Sequence, residues 1–453
     1  MQRSTTFRSS VHSRVSAALM ILFAAILAWG PRVSLAAESQ DLAGLNALYP
    51  SLDALYQDLH RQPELSNQEL KTAVKMAARL RDLGFTVTEH VGGNGVVGIL
   101  RNGAGPTVLV RTDMDALPIK EETGLPYAST VTTKDASGVS VGVMHACGHD
   151  IHMTSWVGAA TLLSRSKDRW KGTLVFVGQP AEETVSGAEA MVKDGLFSRF
   201  PKPDFVIGLH DTQLLPSGKV GLISGPASAA SNAVDITFYG LGGHGATPQR
   251  TIDPVVIAAR AVVTLQTIVS REVNPLDPAI ITVGTFHAGS KRNIIPDEAK
   301  LELTVRSYKP EVQKQLLAAI ERIAKAEAAA GRAPREPKLT IVESSEVVIN
   351  DPALTQRLGS RLRRELGDTS VTTLDPNTSS EDIGVFGRVA GVPSVQLRIG
   401  APDPGEFAKA RAEGKYPPGP HTSKFAPDRQ PTIRTGVTVL TLSVLELLGV
   451  QRS

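Results

Sequence analysis

The first half of the chain alternates between helical periods and short apolar runs. Apolar residues recur at helical spacing across residues 69–83 and again across 153–164, which predicts helices in both segments. Residues 107–110, 173–177 and 205–209 are instead short, nearly continuous apolar runs, as expected of strands buried on both faces of a parallel sheet. Helices alternating with buried strands predict an α/β domain with a central, mostly parallel sheet.

The middle of the chain follows a different pattern. The predicted elements, in chain order, are a strand at 234–239, a helix from Asp253-Pro254 to about 270, strands at 280–286 and 300–305, a helix from 310 to about 330 and a strand at 339–342. Asp as N-cap and Pro in the first turn mark the start of the first helix. This β-α-β-β-α-β order is that of a ferredoxin-like α+β domain. We therefore expect a small domain at 229–343, inserted into a larger domain formed by residues 37–228 and 344–453.

The N-terminus has the composition of an export signal. Three arginines precede an apolar run at 15–29, and the small residues Ser34 and Ala36 fit a signal-peptidase site. The run of about 15 residues is shorter than the roughly 20 that a membrane-spanning helix needs, which disfavours a membrane anchor. Residues 1–36 are therefore predicted to be a signal peptide. The mature protein is expected to be periplasmic or secreted and not bound to the membrane.

Charge and cysteine content narrow the function classes. Residues 1–36 contain four arginines and no acidic residue, so their removal lowers the formal net charge from +3 to −1. Without a basic stripe, no nucleic-acid partner is expected. Cys147 is the only cysteine, so the chain has no internal disulfide. A lone thiol in an oxidising compartment is expected to be buried or coordinated.

Polar clusters follow the predicted strands. Clusters at 113–115, 179–183 and 210–211 each begin where a buried strand ends, and sites in open α/β sheets form beyond the carboxyl ends of strands. A denser cluster at 145–152 combines one cysteine with three histidines, and a fifth cluster lies at 420–425. Each cluster alone has an ordinary explanation, such as a helix cap, a solvated turn or a buried thiol. Their combination predicts a metal site, because Cys, His and Glu bind zinc and its neighbours.

The paired glutamates Glu182 and Glu183 indicate a chemistry for such a site. Two metal ions about 3.5–4 Å apart can share one water, lower its pKa and polarise a carbonyl. A carboxylate must then take the proton from that water and deliver it to the leaving amine. Two adjacent glutamates can divide these tasks, one as metal ligand and the other as acid and base.

At these residues the sequence resembles the metallo-amidohydrolase and metallopeptidase family of hippurate hydrolase, indole-acetyl-amino-acid hydrolase, aminoacylase and carboxypeptidase G, and above all its hippurate-hydrolase branch. The resemblance covers nearly all of the mature chain, from His60 to Phe425. The motifs that carry it are HRQPELS at 60–66, DMDALP at 113–118, MHACGHD at 144–150, AEE at 181–183, GLH at 208–210, GGHGA at 242–246 and SED at 380–382. Together and in this order, they are specific to the family.

The resemblance implies a complete active site. It assigns two divalent metal ions, which can be zinc, manganese, cobalt or nickel, to five ligands: Cys147, His149, Glu183, His210 and His421. Cys147 is expected to bridge the two ions. Glu182 is expected to be the general acid and base. Asp115 is expected to hold the ligand imidazole of His149 or His210 and so fix its tautomer.

The resemblance also implies that the inserted domain is a lid and dimerisation domain. His244 resembles the family histidine that stabilises the developing oxyanion, and Asn293 resembles a substrate-contacting asparagine. Arg306 is a weaker candidate for binding the substrate carboxylate, and it fits a surface strand arginine equally well. Lid domains of the family often pair edge to edge, so a homodimer in which the partner supplies His244 remains open.

The chain departs from the family pattern on both sides of His421. The proline that usually follows the last His-Ser is absent, which leaves the ligand itself in place. The stretch 403–416 is longer and more charged than in compact members. It either rims the substrate pocket, and so affects specificity, or is a solvated insertion.

The expected reaction is hydrolysis of the amide bond of an N-acyl or aroyl amino acid. A carboxypeptidase or dipeptidase acting on small peptides is the main alternative, because the sequence does not distinguish the two. A non-catalytic metal- or solute-binding envelope protein is disfavoured by Glu182, since a metal cage has no use for a second glutamate there. A cysteine nucleophile, Cys147 paired with His149, leaves the other clusters unexplained. The acyl group, the amino acid, the metal and the oligomeric state do not follow from the sequence.

Overall fold

The computed structural model describes residues 39–450, and the predicted signal peptide at 1–36 lies outside the described residues. The fold is that of the compact unit that begins at Asp41. Its helices are α1 Leu45–Arg61, α2 Leu70–Asp82, α3 His149–Arg165, α4 Gly187–Lys193, α5 Leu196–Arg199, α6 Pro254–Thr267, α7 Pro310–Ala330, α8 Pro352–Leu366, α9 Gly384–Ala390, α10 Pro404–Ala412 and α11 Arg429–Leu448. Its strands are β1 Thr86–Val91, β2 Gly95–Asn102, β3 Thr107–Asp113, β4 Thr132–Lys134, β5 Ser140–Gly142, β6 Gly172–Gln179, β7 Phe205–Thr212, β8 Val220–Leu222, β9 Gly225–Ser228, β10 Ala230–Tyr239, β11 Gly243–His244, β12 Ala279–Ala288, β13 Ile294–Ile295, β14 Glu298–Ser307, β15 Lys338–Ser345, β16 Val348–Asn350, β17 Val371–Thr373 and β18 Ser394–Gly400.

An eight-stranded sheet, here the large sheet, has the strand order β1-β2-β6-β3-β7-β18-β8-β17. Its central strands β6, β3, β7 and β18 run parallel to one another, with antiparallel pairings on either side. The runs at 107–110, 173–177 and 205–209 lie in β3, β6 and β7. The predicted α/β fold with a mostly parallel central sheet is therefore confirmed.

The two faces of the large sheet pack against different helices. In β3, Val108 and Val110 belong to an apolar cluster with α1, α3 and α11, whereas Leu109 belongs to a cluster with α4 and α9. This alternation follows from the two-residue period of a strand. At the carboxyl ends of the strands, the second face becomes polar: Arg111 of β3, Gln179 of β6, His210 of β7 and Arg398 of β18. The functional site lies at this end of the sheet.

Helix α3 starts earlier than the sequence pattern predicts. The apolar period indicated residues 153–164, but the helix covers His149–Arg165 and is buried along nearly its whole length between α1 and α11. Its first turn contains His149, Asp150 and His152, which are all buried. Hydrophobic periodicity could not reveal a buried turn made of polar side chains.

A four-stranded antiparallel sheet, here the small sheet, has the order β12-β14-β10-β15. With α6 and α7 packed on it, the chain order is the predicted β-α-β-β-α-β of a ferredoxin-like layer. Asp253 caps α6 as predicted, because its Oδ1 accepts a hydrogen bond from the Val255 N–H at 2.9 Å. The buried side chains form an apolar cluster separate from those of the large sheet. The borders at 229 and 343 stay a prediction; β10 begins at Ala230 and β15 ends at Ser345.

Two of the described helices are long and apolar enough to cross a membrane by length and composition alone. They are Pro254–Glu272, of whose apolar window 33% is buried, and Arg429–Leu448, of whose window 78% is buried. The first includes α6 and contributes apolar side chains to the small-sheet cluster. The second is α11, which packs against α3 in the largest apolar cluster.

Candidate metal centre

A tight turn before α3 positions Cys147 and His149. Gly148, between them, has a left-handed φ of 75°, which glycine adopts without steric cost. A Cβ atom at this position would lie 2.2 Å from Oδ2 of Asp211, so any other residue would have to displace that carboxylate. The turn places the Cys147 Sγ 3.4 Å from Nε2 of His210, near the end of β7.

Backbone carbonyls orient the imidazoles of His149 and His210. Nδ1 of His149 lies 2.8 Å from the carbonyl oxygen of Asp115, and Nδ1 of His210 lies 2.7 Å from that of Asp211. Because a carbonyl oxygen only accepts hydrogen bonds, each Nδ1 carries a proton, and Nε2 is the nitrogen of each ring that remains for a metal. These are the tautomers that a metal-binding Nε2 requires.

Asp115 connects His149 to the glutamate loop. Its Oδ1 lies 3.5 Å from Nδ1 of His149. Its Oδ2 accepts hydrogen bonds from the backbone N–H of Glu183 at 2.9 Å and from the hydroxyl of Ser66 at 2.6 Å. Of the two imidazoles considered for Asp115, the structure places His149 against it.

The loop after β6 turns Glu182 and Glu183 toward the same imidazole. Two non-glycine residues of this loop have a left-handed φ of 52°, a conformation that persists only where the surroundings impose it. Nε2 of His149 lies 3.8 Å from Oε2 of Glu182 and 3.8 Å from Oε1 of Glu183. The other oxygen of Glu183, Oε2, lies 3.3 Å from Nε2 of His421.

His421 joins the cluster from the C-terminal part of the chain. It has a left-handed φ of 65°, and its backbone N–H donates to the carbonyl oxygen of Ala146 at 2.7 Å. Its side chain is 56% exposed, in contrast to the buried His149. The proline missing after it does not displace the imidazole from the cluster, as expected.

The charged stretch at 403–416 forms helix α10. Asp403 caps this helix, because its Oδ1 accepts hydrogen bonds from the N–H groups of Gly405 at 2.8 Å and Glu406 at 3.0 Å. Most of the stretch is exposed. In the described part of the chain, the cavity over the cluster has no lining residue from 403–416, which favours the solvated insertion.

The donor atoms form two overlapping groups, here the donor cluster. Those of Cys147, His149 and His210 lie within 4.8 Å of one another, and so do those of Cys147, Glu183 and His421. Cys147 belongs to both groups, as a bridging ligand must. Nε2 of His149 and Oε1 of Glu183 are buried and have no hydrogen-bond partner among residues 39–450, which is unfavourable unless a cation binds them. The sulfur, nitrogen and carboxylate donors therefore fit two ions of zinc, manganese, cobalt or nickel.

A neighbouring buried cluster, here the Arg111 cluster, is fully paired. Arg111 donates hydrogen bonds to Asp113 at 2.5 Å, Gln179 at 2.9 Å, Glu381 at 3.0 Å and Asp382 at 3.3 Å. Burial lowers the pKa of the guanidinium, but the three carboxylates outweigh burial and the net shift is upward. This arginine stays charged and anchors the SED motif beside the glutamate loop.

Burial also sets the protonation of the reactive groups. Burial raises the pKa of Glu182 well above its ordinary value, and the carboxylates of Glu381 and Glu183 raise it further. Burial likewise raises the pKa of the Cys147 thiol, again reinforced by nearby carboxylates. A divalent cation acts in the opposite direction and deprotonates a thiol that coordinates it.

A cavity of about 490 Å³ opens over the donor cluster. Six of the predicted site residues line it: Cys147, Glu182, Glu183, His210, Arg306 and His421. Arg306 reaches it from β14 of the small sheet, and its Nη1 donates a hydrogen bond to Oγ of Ser380 at 3.2 Å. The weaker candidate for carboxylate binding thus faces the same cavity as the metal donors.

His244 and Asn293 lie outside this cavity. His244 is in β11, Asn293 directly precedes β13, and the N–H of Gly245 donates to the carbonyl oxygen of Asn293 at 2.9 Å. Both side chains are exposed, and neither lines the cavity. One chain therefore brings these two residues to each other but not to the metal donors, and their predicted roles stay predictions.

Known proteins share both the sequence and the fold. Residues 109–416 match the model of Peptidase family M20/M25/M40. The chain belongs to this family. Among M20 relatives, the N-acetyl-L-cysteine deacetylase of Bacillus subtilis is 40% identical over 280 residues, which cover 62% of this chain and 64% of that protein. The hippurate hydrolase of Campylobacter jejuni is 36% identical over 75% of this chain and 85% of its own length.

Two further M20 proteins extend the comparison. The thermostable carboxypeptidase 2 of Saccharolobus solfataricus is 35% identical over 72% of this chain and 80% of its own length. The structure of the Bacillus subtilis YXEP protein, a dinuclear metal binding peptidase from the M20 family, aligns with a TM-score of 0.70 and 27% identity. That alignment covers 89% of this chain and all of the YXEP chain. The chain is accordingly a metal-dependent M20 hydrolase of the amidohydrolase and peptidase kind, and the predicted family is confirmed.

Sequence reasoning missed two buried arginines of this M20 hydrolase. Arg111 interrupts the apolar run of β3, and Arg398 interrupts that of β18. A charged residue inside a buried strand is rare unless it is paired or functional. That irregularity was the available signal, although it does not show which partner each arginine meets.

Proposed function

We propose that this M20 hydrolase cleaves the amide bond of N-acyl or aroyl amino acids, using two divalent metal ions held by the donor cluster. The observation that carries the proposal is the division between the two glutamates. Glu183 is engaged by Asp115 through its backbone and by His421 through its carboxylate. Glu182 lines the cavity beside His149, where an amide hydrolase needs an acid and base.

The five donors already described would hold the two ions, and Cys147, which belongs to both donor groups, would contribute to each. Ions of this kind lower the pKa of a water and polarise the scissile carbonyl when bound. The carbonyl oxygens of Asp115 and Asp211 bind Nδ1 of His149 and His210, so Nε2 of each ring would be the metal-binding atom.

Glu182 moves the proton in the proposed reaction. Its carboxylate takes a proton from the attacking water and later gives it to the nitrogen of the leaving amine. Burial and neighbouring carboxylates raise its pKa, and bound cations would lower it again. Glu183 does not compete for this task, because its oxygens face His149 and His421.

Substrate binding is proposed to use the small sheet. Arg306, half-buried in the cavity wall, binds the carboxylate next to the scissile amide through a charge-assisted hydrogen bond. His244 and Asn293 act on the substrate once the lid domain closes over the cavity, or from the lid domain of a second copy in a homodimer. The names of the two relatives, a hippurate hydrolase and an N-acetyl-L-cysteine deacetylase, support N-acyl amino acids as the substrate class.

Cleavage of small peptides is the second candidate function. It is supported by the similarity to a thermostable carboxypeptidase. In a peptide substrate, the carbonyl side of the scissile bond carries a free α-amine or more peptide. In an N-acyl amino acid, it carries an acyl group instead. Both use the same donor cluster and Glu182.

Export to the periplasm or the medium is part of the proposal. It rests on the basic, apolar and small-residue order of residues 1–36. Expression of the full chain in a bacterial host should give a protein outside the cytoplasm whose N-terminus lies near residue 37. A cytoplasmic protein of full mass would contradict export.

The function is tested by hydrolysis of a panel that contains hippurate, N-acetyl amino acids and dipeptides. The mature protein is assayed before and after treatment with a chelator, and then with single metals restored. Chelator-sensitive cleavage of acyl amino acids is expected, and the restoring metal identifies the resident ion. Cleavage of dipeptides alone would replace the proposal with the peptidase function. No cleavage with any metal would favour a binding protein.

A further inference from the structure

A second arginine, Arg398, faces the cavity from the large sheet. It lies in β18, in parallel register with His210 of β7 on one side and in antiparallel register with Gly221 of β8 on the other. Its side chain is only 6% exposed and lines the same cavity as Arg306.

Arg398 lacks the partners that a buried arginine normally has. In the described part of the chain, its only side-chain hydrogen bond is from Nη2 to Oγ of Ser228 at 3.4 Å, and its guanidinium forms no salt bridge. Arg111 is equally buried but meets the carboxylates of Asp113, Glu381 and Asp382. The carboxylates of Glu381, Asp211 and Glu182 act on Arg398 only from beyond salt-bridge distance. A buried guanidinium without a direct ion pair is unfavourable, and in this Arg398 differs from Arg111.

The cavity therefore contains two guanidinium groups without salt bridges. Arg306, on the small-sheet side, has Ser380 as its side-chain hydrogen-bond partner and forms no salt bridge among the described residues. The carboxylate of Glu381, also in the cavity wall, is already bound by Arg111 and Gln396. One substrate carboxylate can satisfy one of the two guanidinium groups, and the other is left for a second anion.

We infer that Arg398 is a specificity-determining residue that binds a second carboxylate of the substrate. The preferred substrates are then amides with two carboxylates, one bound by Arg306 and one by Arg398. The second carboxylate can lie in the amine half, as in an N-acyl acidic amino acid, or in the acyl half, as in an N-succinyl amino acid. The inference rests on the proposed amide hydrolysis and adds the substrate class to it.

Matched substrates test this inference without any mutation. N-acetylglutamate and N-acetylglutamine differ only in the side-chain carboxylate, and N-succinylalanine and N-succinamoylalanine differ only in the acyl carboxylate. Hydrogen bonds to charged groups contribute about 1.5–3 kcal/mol, so the dicarboxylate of one pair should have a kcat/KM about 10- to 100-fold higher. The pair that shows the preference identifies the half of the substrate that Arg398 reads.

The two possible failures can be told apart. Equal kcat/KM values within both pairs, with all four compounds cleaved, would overturn the role of Arg398 and leave the amide hydrolysis intact. No cleavage of any of the four, or of the wider panel, would instead overturn the proposed function.

Variants then test whether Arg398 causes the preference for dicarboxylates. Arg398→Gln should lower the dicarboxylate preference about 10- to 100-fold, through KM, whereas Arg398→Lys should restore part of it because a charge remains. Arg306→Gln should weaken the binding of all four substrates. Arg388→Gln, at an exposed position in α9, is the control for a lost arginine.

A purely structural Arg398 gives a different result. If it only offsets nearby carboxylates, Arg398→Gln lowers the metal content and the melting temperature, and reduces kcat/KM equally for both members of each pair. That outcome would overturn the inference. If Arg398→Gln does not fold, Arg398→Lys and the wild-type substrate pairs decide the question.

Discussion

The Arg111 cluster and the donor cluster lie side by side at the carboxyl end of the large sheet, and both are largely buried, although His421 of the donor cluster is exposed. In the Arg111 cluster, the guanidinium meets three carboxylates and an amide oxygen within 3.3 Å. In the donor cluster, Nε2 of His149 and Oε1 of Glu183 have no partner among the described residues. Polar groups in a low-dielectric interior are favourable when satisfied and costly when not. The paired cluster is therefore satisfied within the fold and sensitive to loss of one partner, and the unpaired one is arranged for a ligand.

The largest effect is expected at Glu182, which belongs neither to the Arg111 cluster nor to the donor cluster. Glu182→Gln removes the acid and base and should lower kcat about 10²- to 10⁴-fold while both metal ions stay bound. Steady-state kinetics and metal analysis of the same preparation measure the two quantities. Glu189→Gln, in α4 with an exposed ion pair to Lys193, is the matched control. Substantial activity in Glu182→Gln would contradict its role.

Breaking the paired cluster should instead affect the fold. Arg111→Met leaves three buried carboxylates without their counter-ion, and loss of one partner of a buried pair costs about 3–5 kcal/mol. Denaturant unfolding of the metal-free protein measures this loss. The control Arg388→Met removes an exposed arginine paired with Glu346 and should change stability by no more than about 0.5 kcal/mol. Equal effects of the two variants would show that the Arg111 cluster contributes no special stability.

Metal removal should lower the part of the stability that depends on the donor cluster. A ligand that binds only the native state at 1,000 times its Kd stabilises it by about 4 kcal/mol, so a chelator should lower the melting temperature of the wild type. Cys147→Ala removes the donor common to both groups and should abolish most of this difference. Thermal unfolding with and without chelator measures it. A variant that keeps two ions and the full shift would rule out Cys147 as the bridge.

A second paired cluster predicts a smaller, pH-dependent effect. His60 is buried with Nδ1 2.6 Å from Asp150 and Nε2 3.0 Å from Glu121. Burial lowers the pKa of His60, but the two acids outweigh burial and raise it from 6.5 to about 9. The charged imidazole therefore stabilises the fold fully below pH 6.5, and this stabilisation is lost as the pH rises through about 9.

The magnitude is set by the size of that shift. Relative to His60→Gln, the free energy of unfolding of the wild type should fall by on the order of 3 kcal/mol across this pH range. Denaturant unfolding with chelator present measures it without interference from metal binding. Parallel pH profiles of the two proteins would mean that His60 is not charged in the native state.

Local sequence patterns predicted much of the fold of this protein. The apolar runs of β3, β6 and β7 predicted the centre of the large sheet, and Asp253 with Pro254 predicted the start of α6. Such signals depend on residues close in sequence, because strand burial and helix caps are set within one element. The family motifs added the donor residues, and the fold brings Cys147, His149, Glu183, His210 and His421 together.

The sequence by itself determined the two sheets with their helices, the types of donor residue and the strand ends at which the donors lie. Only the tertiary structure decided which polar groups are paired. Arg111 meets Glu381 across 270 positions of chain, whereas Arg398, in a similar apolar strand, meets no carboxylate among the described residues. The two arginines look alike in sequence because each interrupts a buried strand. They differ in the structure because neutralisation of a buried charge depends on side chains contributed by distant segments.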